Sequence, residues 1–298
     1  MTVLTVRATG CAKVNWVLEA LQRRPDGYHE VRTVIQTIDL RDTLELQSAS
    51  ELCLEAEGEG LLPAEGNLVM RAAHLLRERA DGLPGARMRL SKAIPVAAGL
   101  GGGSSDAAAA LRGLNELWAL GLQREALVHI ATRLGSDVPF FIHGGTALAG
   151  GRGERVTPLP DAPRQELVIA LPALILADKT RRMYSLLSPA DYTDGSASRR
   201  LADAIWRGGP VEDEHLFNVF DGPAFRTLPE LERLRRALLA AGARSVHLAG
   251  SGPALFALID DPAERERLAR TAREAGARAF AATSVPAAEA LALEVATG

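Results

Sequence analysis

The run Pro95-Val96-Ala97-Ala98-Gly99-Leu100-Gly101-Gly102-Gly103-Ser104-Ser105-Asp106-Ala107 lies between a predicted strand and an alanine-rich helical stretch. Its clustered glycines leave backbone N–H groups free to turn toward one point. A helix beginning near Ser104 adds unpaired donors and a positive dipole end, so the segment reads as an anion site suited to a polyphosphate. The hydroxyls of Ser104 and Ser105 can reach phosphate oxygens or a magnesium ion, and Asp106 can steady the first helical turn or lie near the metal. No Gly-Lys-Ser/Thr follows, which argues against a Walker A loop. Nor does the run match Gly-x-Gly-x-x-Gly with an acidic residue about 20 positions later, which argues against a dinucleotide-binding Rossmann site.

Upstream, Val3 to Ala8, Val14 to Leu21, Val31 to Leu40 and Thr43 to Leu46 are rich in β-branched and aliphatic residues and read as strands. Breaks such as Arg24-Pro25-Asp26-Gly27 separate them. A helix is predicted from Asn67, its cap, to Arg79, and a strand from Ala86 to Ser91 leads into the glycine run. Downstream come helices from Ser104 to Ala119 and Arg124 to Leu134, then an apolar double strand, Gln165 to Ala177, broken by Pro172. Pro189 to Ser198 reads as a loose polar connection. Beyond it, helices Pro229 to Ala241 and Pro262 to Ala275 alternate with strands Ser245 to Leu248, Ala254 to Ile259 and Ala279 to Thr283. A strand-rich first half and an alternating second half predict two α+β domains, residues 1–160 and 161–298.

The composition narrows the function classes. A net charge of −3 argues against a protein that neutralises many nucleic-acid phosphates. The N-terminus shows no charged n-region followed by an apolar core, and no run reaches the roughly 18 apolar residues of a membrane span. A cytoplasmic location, with no membrane or nucleic-acid partner, is the expectation. Cys11 and Cys53 form no CxxC pair and read as two small buried residues in a reducing compartment. Of 34 basic residues only Lys13, Lys92 and Lys179 are lysines, which singles them out because Arg and Lys differ in shape, hydration and proton affinity.

The glycine run resembles the ATP-phosphate loop of the GHMP kinases. Ala12-Lys13-Val14-Asn15 resembles that superfamily's first motif, and Leu248-Ala249-Gly250-Ser251-Gly252-Pro253 its third. Further segments resemble a branch whose substrate is a cytidine-diphosphate-linked methylerythritol. These are Arg23-Arg24-Pro25-Asp26-Gly27-Tyr28-His29-Glu30, Leu134-Gly135-Ser136-Asp137-Val138-Pro139-Phe140-Phe141 and Gly151-Arg152-Gly153-Glu154. The resemblance implies a two-domain α+β GHMP kinase fold, with an N-terminal domain like ribosomal protein S5 domain 2 and a ferredoxin-like C-terminal domain. It also implies ATP as co-substrate with Mg2+, and phosphorylation of the 2-hydroxyl of that small molecule.

The same resemblance assigns roles residue by residue. Lys13 and Asp137 become the catalytic pair, Asp137 activating the hydroxyl and Lys13 orienting Asp137 and steadying the reacting oxygens. Pro95, Val96, Ala97, Ala98, Gly99, Leu100, Gly101, Gly102, Gly103, Ser104 and Ser105 form the ATP loop, with Asn67 and Lys92 on the adenine side. Tyr28, His29 and Tyr184 receive the cytosine, and Thr180 and Asn15 touch the substrate. The plain alternatives are an edge lysine for Lys13, a helix cap for Asp137, a solvated strand end for Lys92 and ordinary packing for Tyr184.

Three positions depart from the pattern. Cys11 stands where proline is common, Ala249 replaces a usual Ser or Thr, and Val96-Ala97-Ala98 lacks a further glycine. Two other functions stay open at this level. One is another small-molecule kinase of the superfamily, of homoserine or mevalonate type; the other is an inactive nucleotide-binding regulator. The histidines other than His29 show no metal-ligand spacing, and Gly250-Ser251-Gly252 is not a nucleophile elbow.

Overall fold

Two hydrophobic runs joined by the Arg24-Pro25-Asp26-Gly27 turn form the strands β1 (Leu4–Arg23) and β2 (His29–Ala49). The computed structural model describes residues 4–58, 66–79, 82–174, 176 and 178–297. The sequence pattern splits each run into two strands. The structure joins them, because β-bulges between Cys11 and Ala12, Asn15 and Val17, and Ala20 and Gln22 absorb the irregularities without ending the ladder. Val3, Ile175 and Ala177, which fall within predicted strands, lie outside the described residues.

The other strands are β3 (Cys53–Glu57), β4 (Gly85–Ser91), β5 (Thr146–Gly151), β6 (Arg155–Pro158), β7 (Glu166–Leu171), β8 (Phe217–Asn218), β9 (His247–Leu248), β10 (Leu255–Ile259), β11 (Arg278–Thr283) and β12 (Leu293–Thr297). The large sheet runs β12-β1-β2-β4-β3, with β5 on β2, β6 on β5, and β8 parallel to β1. The small sheet is antiparallel in the order β11-β7-β10-β9.

Helices α1 (Leu68–Arg77), α2 (Gly102–Leu117), α3 (Arg124–Thr132) and α4 (Val138–His143) pack with the large sheet in one core. Ala107 to Ala110 are fully buried there, and a Cβ on Gly113 would come within 2.2 Å of Leu46, so small side chains let α2 lie close to the strands. Asn67 caps α1 as predicted, its Oδ1 accepting from the Val69 N–H at 2.9 Å.

The second half adds α5 (Lys179–Ser185), α6 (Ser196–Trp206), α7 (Asp221–Thr227), α8 (Pro229–Ala240), α9 (Pro262–Glu274) and α10 (Ala287–Ala290). Period-two alternation sorts the small sheet's two faces. Val168, Ala170, Leu255 and Ala257 join the core under α7, α8 and α9, while Leu167, Ile169, Phe256 and Leu258 join Val14, Trp16, Val34 and Ile38 of the large sheet. Trp16 meets Phe256 edge-to-face at 5.8 Å in that interlayer core.

Two elements differ from the sequence reading for a common reason. The predicted loose connection ends in α6, whose start is held by buried Glu19 of β1, accepting from the Ser198 N–H at 2.9 Å and hydroxyl at 2.6 Å. The final strand β12 returns to pair with β1. Both depend on partners far away in sequence, which a local pattern does not contain.

Candidate active site

At the register shift between Cys11 and Ala12, β1 changes which face it presents to each side. Before it, Val6 and Ala8 face the core under α2. After it, Ala12, Val14 and Trp16 face the small sheet, which turns Lys13 and Asn15 toward α2 and the glycine loop. The strand is also tied to that loop directly, the Lys13 N–H donating to the Leu100 carbonyl at 2.9 Å.

Opposite stands the third motif. The Ala254 N–H donates to the Ala98 carbonyl at 3.0 Å, and Gly99 (φ +93°) lies against the Ala249 carbonyl. Asn218 fixes this loop from behind, donating to the carbonyls of Leu248 and Gly250 at 2.8 Å each. A Cβ on Gly250 would sit 2.8 Å from the Lys13 ammonium. Three segments far apart in sequence thus meet at one place.

They wall a cleft of about 1480 Å³, lined also by Asp137, Tyr28, His29, Lys92, Lys179, Thr180 and Tyr184. That exceeds the roughly 300–1,000 Å³ of a pocket for one small ligand and leaves room for two. Pro95 through Ser104 line it, as does Asn67, whose side-chain oxygen serves the α1 cap. Helix α2 starts at Gly102 rather than Ser104, with Gly101 (φ +75°) ahead of it and no side-chain cap, so first-turn N–H groups remain as donors. Ser105 is 2% exposed, lies beneath the loop against Gly10, and is not among the lining residues.

Burial pushes the Lys13 ammonium below its ordinary range, and Asp137 opposes that shift through space. The ammonium donates to Asn15 Oδ1 at 2.6 Å, and Asn15 passes its own N–H to Thr33 Oγ1 at 2.8 Å. Lys13 and Asp137 form no direct ion pair in this structure. Asp137 stands immediately ahead of α4, and its carboxylate makes no capping bond, unlike the plain alternative for that position.

Lys92 is not a solvated strand end. Its side chain is 6% exposed and paired with Asp42 and, at 2.6 Å, with Asp106. Burial alone would lower its proton affinity, but the two carboxylates hold it above the usual lysine value. Asp106 is pushed up to about 8, burial and Asp42 outweighing Lys92. Asp42 also accepts from the Ala93 and Ile94 N–H groups, which fixes the approach to the loop.

Tyr28 stands at the tip of the β1–β2 turn, 54% exposed, with the Arg152 guanidinium 4.7 Å over its ring. Its N–H is held by Asp26 at 3.1 Å. His29 stacks on Tyr184 at 4.7 Å and meets the Tyr192 hydroxyl at 3.3 Å, while Tyr184 also abuts Phe220. Burial raises the Tyr184 phenol and lowers the His29 imidazole. Thr180 reaches the third motif, its hydroxyl 3.4 Å from that of Ser251.

Two of the three departures point away from the cleft, while Val96, Ala97 and Ala98 line it. Ala249 is fully buried between the sheets, so the missing hydroxyl is not taken from the cleft wall. Cys11 packs with Val285 and Ala290, and burial pushes its thiol up to about 11. Sequence reasoning missed Asn218, Asp42 and Glu19, and it gave Arg152, quoted within a matched segment, no contact with Tyr28. A polar residue inside an apolar run, as in Phe217-Asn218-Val219-Phe220, was the available signal for Asn218.

The chain matches the family models for the GHMP kinases N terminal domain over residues 67–145 and GHMP kinases C terminal over residues 194–278. It is 42% identical over 270 residues to a 4-diphosphocytidyl-2-C-methyl-D-erythritol kinase of Dehalococcoides mccartyi, covering 90% of this chain and 94% of that one. A crystal structure of a 4-(cytidine 5'-diphospho)-2C-methyl-D-erythritol kinase superposes with a TM-score of 0.79 at 37% identity, covering 93% of this chain and 98% of the other. A homoserine kinase from Cytophaga hutchinsonii reaches a TM-score of 0.71 at 17% identity, with 99% and 97% coverage, and so shares the fold. Fold, converging motifs and whole-length similarity agree: the chain belongs to the 4-diphosphocytidyl-2-C-methyl-D-erythritol kinase family of the GHMP kinases.

Proposed function

We propose that the protein transfers the terminal phosphoryl group of ATP to the 2-hydroxyl of 4-diphosphocytidyl-2-C-methyl-D-erythritol, in the non-mevalonate route to isopentenyl diphosphate. The observation that carries this reading is the meeting of Lys13, Asp137, the glycine loop and the Tyr28–His29–Tyr184 group around one cleft large enough for both substrates. Homoserine or mevalonate offers no base to an exposed aromatic, which favours the cytidine substrate over those of the fold relatives. In the domain division that goes with this reading, residues 1–160 carry the ATP loop and residues 161–298 contribute Thr180, Tyr184 and the third motif.

In this mechanism the N–H groups at the start of α2 receive the nucleotide phosphates. Lys13 steadies the reacting oxygens, and Asp137 accepts the proton of the attacking hydroxyl. Asn15 holds the Lys13 ammonium in place, and Asn67 and Lys92 sit on the adenine side. Tyr28 supplies a face for the cytosine, with His29 and Tyr184 as the adjoining wall and Thr180 beside the substrate.

Magnesium, when bound, neutralises charge on the transferring phosphoryl group. Among the described residues no three His, Cys, Asp or Glu side chains gather as a metal site. That suits an ion held mainly by phosphates with the Ser104 hydroxyl on the cleft wall, since Mg2+ commonly uses few protein ligands.

ADP release measured with the cytidine substrate beside homoserine and mevalonate tests the assignment; turnover is expected with the first, and its absence would remove the assignment. Tyr28→Ala should raise KM for the cytidine substrate by roughly tenfold, the order of one lost stacking contact, and leave KM for ATP nearly unchanged. Equal changes in both constants would refute stacking.

A further inference from the structure

Arginine supplies nearly all of this chain's positive charge, yet all three lysines line this cleft. Two of them are answered by neighbouring side chains, Lys13 by Asn15 and Lys92 by Asp42 and Asp106. Lys179 is different. Its ammonium donates to a single neutral acceptor, the Ala97 carbonyl of the glycine loop, at 3.1 Å, and no carboxylate of the described residues forms an ion pair with it. It reaches across the cleft from the second half of the chain to the loop that receives phosphates in the proposed function.

Lys179, Lys13 of β1 and Asp137 ahead of α4 line the same cleft, and these two are the charged groups that act on Lys179. Burial, and then repulsion from Lys13, pull its proton affinity down to about 8, and Asp137 offsets only part of this. Two partly desolvated ammonium groups converging on one space are costly until an anion lies between them. One carbonyl satisfies one of three N–H donors, leaving two for phosphate oxygens.

We propose that Lys179 is a second phosphate-binding cation of the transfer centre, moving from the Ala97 carbonyl to a non-bridging oxygen of the nucleotide's terminal phosphoryl group. The inference rests on the kinase reading. In the step it assists, the bond from the acceptor oxygen to the γ-phosphorus forms. The bond from that phosphorus to the β,γ-bridging oxygen breaks, its electron pair staying on ADP, and the hydroxyl proton passes to Asp137. Lys179 keeps its protons throughout and supplies charge alone. A bound polyphosphate favours the ammonium, so triphosphate binding takes up protons near pH 8, and affinity falls as pH rises through that value.

Calorimetric titration of the full chain with β,γ-imido-ATP, ADP and AMP tests this in the wild type, Lys179→Met and Lys179→Arg. Lys179→Met should weaken the triphosphate analogue by about tenfold or more, as expected for a lost hydrogen bond to a charged group, and leave AMP unchanged. Lys179→Arg should retain most of the affinity and lose the decline between pH 7 and pH 9 that the wild type shows, because guanidinium stays charged. Equal losses for all three nucleotides, or no loss, would overturn the proposal. Should Lys179→Met fail to fold, the wild-type and Lys179→Arg pH series decides alone: a flat wild-type profile overturns it. The titrations need no acceptor, so failure of the kinase reading shows separately, as absent turnover by the wild type.

Discussion

Asp137→Asn should lower kcat by about 10²–10⁴-fold, the usual contribution of a positioned general base, while ATP binding stays close to wild type. The substitution keeps shape and removes the charge and the proton acceptor together. Little folding cost is expected, because the Asp137 side chain makes no capping bond at the start of α4. The carboxylate therefore serves no local backbone need that asparagine would disturb. A second effect follows through Lys13, whose buried ammonium is favoured by the Asp137 charge. Loss of that charge should ease deprotonation of Lys13 and narrow the alkaline limb of the pH–rate profile. Single-turnover kinetics with ATP and the cytidine substrate, beside ATP titration, separate the outcomes; a near-normal rate would remove Asp137 as the base.

Gly99→Ala should be the most damaging single-atom addition in the loop. Gly99 has φ +93°, and an added Cβ would lie 2.1 Å from the Ala249 carbonyl oxygen and 2.7 Å from that of Gly252. Both are backbone atoms that cannot rotate away. The strain and the forced separation of the two loops should cost roughly 3 kcal/mol or more. Gly27 provides the control, with a similar φ of +85° and nothing within 4 Å of an added Cβ. Gly27→Ala should cost only about 1–2 kcal/mol, the backbone term alone. Urea midpoints of the two variants measure the difference, and equal losses would show that close approach to the third motif carries no weight.

What the sequence made legible, and what it hid, divides along sequence distance. The Asn67 cap, the turn presenting Tyr28 and the strand–loop–helix around the glycines are all local, and each follows from residue types within a few positions. Glu19, by contrast, holds the start of α6, which lies beyond a connection of low hydrophobic periodicity. The identity of Lys92 as a buried ion-pair member depends on Asp42, fifty residues earlier. Lys13 and the loop, which line the cleft, were singled out because three motifs follow a known order, and Asp137, which lines it too, because of the further segment Leu134 to Phe141. The bond from Lys13 to Asn15, and the stacking of Tyr184 on His29, were not, since both depend on the pleat and register of packed strands and helices.

At the register shift between Cys11 and Ala12, β1 has an unequal tolerance to two kinds of genetic change. Substitution there alters one side chain in a small buried cluster with Val285 and Ala290. The two residues left unpaired at this shift, Asp39 and Leu40, lie on β2, so a one-residue deletion in β1 ahead of Lys13 would instead reverse the alternation of everything beyond it. Val14 and Trp16 would turn toward the loop, and Lys13 and Asn15 would be driven into the apolar layer between the sheets. Which face receives the ammonium is thus fixed by a count of residues between two ladder positions. At this point in the chain, length is more constrained than chemistry.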